Sequence, residues 1–128
     1  MEENIVYMTE EQIQERKAKI AAIEGLAEIK AAIEGNFKYH QAKARFERGE
    51  IDFEDVPKNT AKEEIALRKK YPRAAAYLEA ERWIDSGNIV KVRLGSRAME
   101  KILDGEDPEA VLEEMIKGLD AFYMAQEG

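Results

Sequence analysis

His40 is the only histidine in the chain and stands in "NFKYHQAKARF", between Lys38 and Lys43. One histidine is enough for a general base. The partners that chemistry needs are missing from the pattern: no serine sits in an elbow motif, there is no cysteine, and no glutamate has a histidine three residues on, as helical di-metal sites require. The carboxylate pairs Glu63 and Glu64, Glu79 and Glu81, and Glu113 and Glu114 are adjacent or two apart, so on one helix they do not converge on one site. Neither the Walker nor the dinucleotide spacing occurs among the eight glycines. These patterns predict a non-enzymatic protein with no cofactor and no metal.

Cationic side chains make the other chemical candidate. Lys38, Lys43, Arg45 and Arg48 fall in one helical stretch, and "RKKYPR" adds Arg68, Lys69, Lys70 and Arg73, with "KVRLGSR" beyond. The spacing permits a basic face able to meet phosphates. Charge is unevenly distributed along the chain. Residues 104–128 hold eight acids and one base and carry the whole net charge of −7, while residues 65–101 carry nine bases against four acids. A chain polarised in this way can pair its cations with its own acidic tail or with a neighbour's. Protein contact is therefore the leading reading, and DNA or RNA binding through these residues is the alternative.

The elements that must carry these side chains read as helices. "TEEQ" at Thr9 to Gln12 has the spacing of a capping box. From there a long, bent or broken N-terminal helix runs to about Arg48, with its apolar stripe displaced at Gly25. Ile13, Ile20 and Ile23 lie on one line; Leu26, Ile29, Ile33 and Phe37 lie on another. A single straight helix cannot face both stripes into one body; either a bend at Gly25 lets one chain cover both, or, the favoured reading, the first three residues are the self-association surface of a homodimer. "GEIDFEDVPKN" reads as a loop whose Ile51, Phe53 and Val56 tuck back under the domain.

"TAKE" at Thr60 predicts a second capping box and a short helix ending near Lys70, since the residue before Pro72 is pushed out of the helical region. Pro72 suits the first turn of the next helix. From Ala76 to Ile102 small and apolar residues recur in steps of three and four, and this places Trp83 in a core. "DSGN" at Asp85 interrupts that stripe with turn chemistry, and "IVKVRL" alternates as a strand would. The periodicity favours a continuous or kinked helix; a minor two-stranded ribbon with "NIVYM" is the alternative. Gly105, Asp107 and Pro108 then stop one helix and start the last.

The expected fold is thus all-α, a helical bundle forming one domain over residues 1–128. No apolar run approaches the ~20 residues that span a bilayer. The acidic start is unlike a signal peptide and cysteine is absent, so the expected location is the cytoplasm, away from membranes.

"KKYPRAAAYLEAERW" followed by "SRAMEKILDGEDPEAVLEEM" resembles a group of small helical proteins of phages and integrated mobile elements of gut Firmicutes. The resemblance covers roughly Lys69 to Ala121. It implies an accessory or regulatory role in the cytoplasm, and its motifs are structural ones that bring no catalytic residue with them. The chain departs from that group in its last helix, which has "LDAFYM" where the others carry a tryptophan.

Overall fold

The computed structural model describes residues 8–127. Among these the fold is all-α, with six α-helices and no strand: α1 (Glu10–Ala21), α2 (Leu26–Glu47), α3 (Ala61–Lys70), α4 (Pro72–Ile84), α5 (Ile89–Leu103) and α6 (Pro108–Glu127), with a single 3-10 turn at Phe53–Asp55.

Most helix starts follow from local chemistry. At Thr9 the capping box is complete: the Gln12 N–H donates to Thr9 Oγ1 at 3.1 Å and the Thr9 N–H donates to Gln12 Oε1 at 2.8 Å. Asn88 caps α5 by accepting from Val90 and Lys91 at 3.0 and 3.2 Å, and Asp107 caps α6 by accepting from Ala110 at 3.1 Å. Pro72 and Pro108 occupy the first positions of α4 and α6, where a missing N–H leaves no bond unmade.

Thr60 corrects the second predicted capping box. Its hydroxyl donates across the fold to the Ala32 carbonyl at 2.5 Å, and the Asn59 side chain serves the free Ala61 N–H instead. The tertiary bond wins because it ties α3 to the middle of α2, whereas an exposed first turn can also bond to water. Gly35 permits this approach, since a Cβ there would meet Thr60 at 3.0 Å.

The N-terminal region is two helices, broken at Gly25, whose φ of 80° is open to glycine and costly for any side chain. The ring of Tyr71 occupies the space that a Cβ on Gly25 would need. This break turns Ile23 inward beside Leu26 and Ile29, so the near ends of the two stripes meet a common core through a change of helix direction, while their far ends, Ile13 and Phe37, stay exposed.

The stretch from Ala76 to Ile102 is neither a continuous nor a kinked helix. It is a hairpin of α4 and α5 closed over Asp85–Asn88, with Gly87 at φ 76°. The three-and-four spacing survives in both arms. Ala76, Ala80 and Trp83 in α4 face Ala98, Met99 and Ile102 in α5, so one stripe is folded onto itself. Small residues bring the arms together: a Cβ on Gly95 would stand 2.8 Å from the Ala80 carbonyl oxygen. The ribbon alternative fails at Ile89–Leu103, which is helical; residues 4–7 of "NIVYM" lie outside the described residues. α6 covers the hairpin with Val111 and Met115.

The loop after α2 tucks in only in part. Ile51 and Val56 are half-buried, while Phe53 is 72% exposed and meets Phe46 edge to face, ring centres 5.6 Å apart. No helix among the described residues is long and apolar enough to cross a membrane.

Candidate interaction surface

The basic residues singled out in the sequence do not form one patch. Lys38, Arg45 and Arg48 line a shallow groove along the second half of α2, whose far wall is Pro57. Lys43, two residues before Arg45, lies about 160° around the helix axis from it and faces elsewhere. Glu34 pairs with Lys38 at 3.1 Å, and Glu50 pairs with both Arg45 and Arg48 at 3.5 and 3.0 Å. The Arg48 hydrogen bond holds the Glu50 carboxyl below its ordinary range, and Glu50 in turn raises Arg48.

Further along the chain, Arg68 is paired with Glu64 at 3.3 Å, and Lys70 lies over the Tyr71 ring. Lys69 is exposed. Arg73 has a structural role. Its guanidinium donates to the carbonyls of Ile102 and Glu106, both at 2.9 Å, and to that of Gly105 at 3.4 Å. The Ile102 carbonyl also accepts from the Gly105 N–H at 3.2 Å and those of Gly105 and Glu106 lie just past α5, so Arg73 adds a cap to the end of that helix from α4. A fork already committed to three acceptors is withdrawn from phosphate binding.

The expected self-association stripe is divided by the fold. Ile23 is 7% exposed in the core, Ile20 packs against it half-buried, and Ile13 is exposed. α1 docks on α5 through charge: Arg16 pairs with Glu100 and also donates to Met99 Sδ at 3.2 Å, and Lys19 lies 3.6 Å from Asp104. His40 stands exposed with its ring against Tyr39, centres 5.1 Å apart.

Trp83 is in the core at 9% exposure, with its Nε1–H donating to Glu79 at 3.2 Å and Lys91 over its ring. Between α5 and α6 lies a hollow of about 130 Å³, lined by Leu94, Arg97, Lys101, Glu114, Met115 and Gly118. Its volume is below the ~300 Å³ where small-molecule sites begin. Lys101 and Glu114 face each other across it at 2.6 Å, and that bond lowers the Glu114 carboxyl.

The surface that sequence reasoning missed is the end of α6. Every residue from Asp120 to Glu127 is exposed, because α6 is longer than the hairpin that supports it. Ile116, Phe122, Tyr123 and Met124 remain in water, Met124 at 71%. Phe122 continues the spacing of Val111 and Met115, which are buried, Ile116 and Tyr123 lie at the edge of the same face, and Met124 falls on the opposite side of the helix, so helical periodicity by itself does not separate Phe122 from the docked residues. The usable signal was length: α6 runs to 20 residues and α5 to 15.

No protein-family model, no characterised protein and no solved structure matches this chain.

Proposed function

We propose that this is a non-enzymatic interaction protein, an accessory or regulatory factor of the phage or mobile-element kind that the resemblance implies, which works in the cytoplasm by binding a protein partner through α6. The observation that carries the reading is the overhang itself. Four large apolar side chains, Ile116, Phe122, Tyr123 and Met124, stand in water on a helix that elsewhere buries such residues. Ile116 and Tyr123, seven residues apart, form an exposed apolar row with a charged border, and Phe122 and Met124 stand to either side of it, the form of a helix that docks on another protein. A photo-reactive amino acid placed at position 123, and as a control at the exposed position 96 of α5, tests it in living cells. A defined protein adduct at 123, absent at 96 and lost on Ile116→Asp, is expected. Equal labelling at both positions overturns the reading.

Nucleic-acid binding is the second reading, favoured by the groove in which Lys38, Arg45 and Arg48 converge. Against it stand the net charge of −7 and the commitment of Arg73 to backbone carbonyls. Anisotropy with labelled duplex DNA and single-stranded RNA tests it: binding that weakens steeply with salt and is lost in Arg45→Glu supports it.

A further inference from the structure

We infer that a partner of the α6 overhang is a second copy of this chain, which receives it antiparallel along the second half of α2. The inference rests on the reading of α6 as a docking helix and names what it docks on.

The two faces are matched in kind. On α6, Ile116 and Tyr123 are exposed and seven residues apart, and Glu113, Asp120 and Glu127 form a second exposed row with the same spacing. On α2, Phe37 is 62% exposed in a row with Lys30 and Ala44, each seven residues away, and Lys38 and Arg45 form the neighbouring exposed row. Seven residues are nearly two full turns, about 10.5 Å of axis, so each face carries an aromatic row (Tyr123 with Ile116 on α6, Phe37 with Ala44 and Lys30 on α2) beside a charged row at a common repeat. The charges are opposite. Asp120 and Glu127 make no ion pair among the described residues, and neither does Lys30; Arg45 and Arg48 share the single carboxylate of Glu50.

The arrangement also selects a direction. On α6 the acidic row is displaced from the apolar row by about 50° around the axis, and on α2 the basic row is displaced in the same rotational sense by about 90°. Flanks of the same sense meet when two facing helices run antiparallel and lie on opposite sides when they run parallel. Antiparallel docking therefore sets Glu113, Asp120 and Glu127 against Lys38 and Arg45, with Tyr123 and Phe37 between the helices. Pro57, across the groove, would bound the incoming helix. Pairing α6 with α6 antiparallel would instead bring two acidic rows together, a like-charge contact that disfavours it.

The contact joins two different surfaces. It closes into a dimer when each copy gives its α6 to the other's α2, and it extends into a chain when it does not.

Analytical ultracentrifugation of wild type, Phe37→Asp and Tyr123→Lys tests this, with circular dichroism confirming that each variant remains helical; both positions are exposed, so the fold is expected to survive. Wild type should associate at micromolar to millimolar concentration, more weakly as salt is raised. Each variant alone should weaken association by more than about tenfold, as loss of an aromatic anchor does. Mixing the two variants should restore association, because the first keeps an intact α6 and the second an intact α2. A wild type that stays at the mass of one chain overturns the inference. So does a Phe37→Asp protein that still pairs, or a mixture that stays monomeric. A specific adduct of a different protein at position 123 combined with a monomeric wild type would leave α6 as a docking helix and remove only the second copy.

Discussion

Gly95 of α5 lies directly against Trp83 of α4, so that a methyl group on Gly95 would stand 2.9 Å from the Trp83 Cβ and 2.8 Å from the Ala80 carbonyl oxygen. Glycine inside a helix costs about 1 kcal/mol relative to alanine, so propensity alone predicts that Gly95→Ala stabilises. Packing opposes it. One of the clashing atoms is backbone and cannot swing aside, and overpacking of this kind costs about 1 to 3 kcal/mol. Gly95→Ala is expected to lower the thermal midpoint, and a raised midpoint would show that the arms of the hairpin are less closely packed than described.

Trp83→Ala should destabilise by about 3 to 5 kcal/mol, the cost of emptying a core site of that size. In the wild type the indole should emit at short wavelength and resist acrylamide, as its 9% exposure requires. Free quenching would place the ring on the surface.

Removal of the Arg73 fork takes the charged donor from the carbonyls of Ile102, Gly105 and Glu106, of which Ile102 keeps only the Gly105 N–H. Bonds from charged donors contribute about 1.5 to 3 kcal/mol, so Arg73→Ala should lower stability by that order in a denaturant titration. Arg73→Lys should recover only part of it, because a single ammonium cannot reproduce the fork. Full recovery with lysine would reduce the role of Arg73 to its charge.

Burial, and after it the Glu81 carboxylate, push the Tyr77 hydroxyl above its ordinary value of 10.0. The phenol therefore ionises more readily in the unfolded chain. Its contribution to stability is complete below pH 10.0 and falls as pH rises beyond it, because the unfolded state then holds fewer protons. Thermal melts in alkaline buffers should show a decline that Tyr77→Phe makes shallower. An identical decline in the variant would assign it to other groups.

His40→Gln should leave the melting curve unchanged within about 0.5 kcal/mol, as expected of an exposed position. Any activity found for the protein should survive it. Lost turnover in a folded variant would reverse the reading of the chain as non-enzymatic.

Much of the local structure was legible because it depends on neighbours in the chain. Thr9 with Gln12, Pro72, and Asp107 with Pro108 each act within one helical turn, and the structure uses them as their spacing predicts. "DSGN" was an equally good signal for a turn. It competed with a stripe that runs unbroken in steps of three and four from Ala76 to Ile102, and that stripe is the same whether the helix continues or folds back. The candidate surface was less legible. Ile13, Ile20 and Ile23 formed a row in projection, yet the left-handed Gly25 carries Ile23 into the core and leaves Ile13 outside.

By itself the sequence determined the helical class, the starts of α1, α3, α4 and α6 and the separation of an acidic last helix from a basic middle, because capping, proline geometry and charge are properties of residues close together in the chain. Only the tertiary structure decided which apolar rows are covered. Thr60 bonds to Ala32 across the fold rather than capping its own helix, Tyr71 fills the space beside Gly25, and Arg73 caps α5 from α4. For the same reason Val111 and Phe122 share an apolar face and have different fates. The first lies over the α4–α5 hairpin and the second beyond its end, and burial depends on what stands opposite a side chain rather than on where it falls in a repeat.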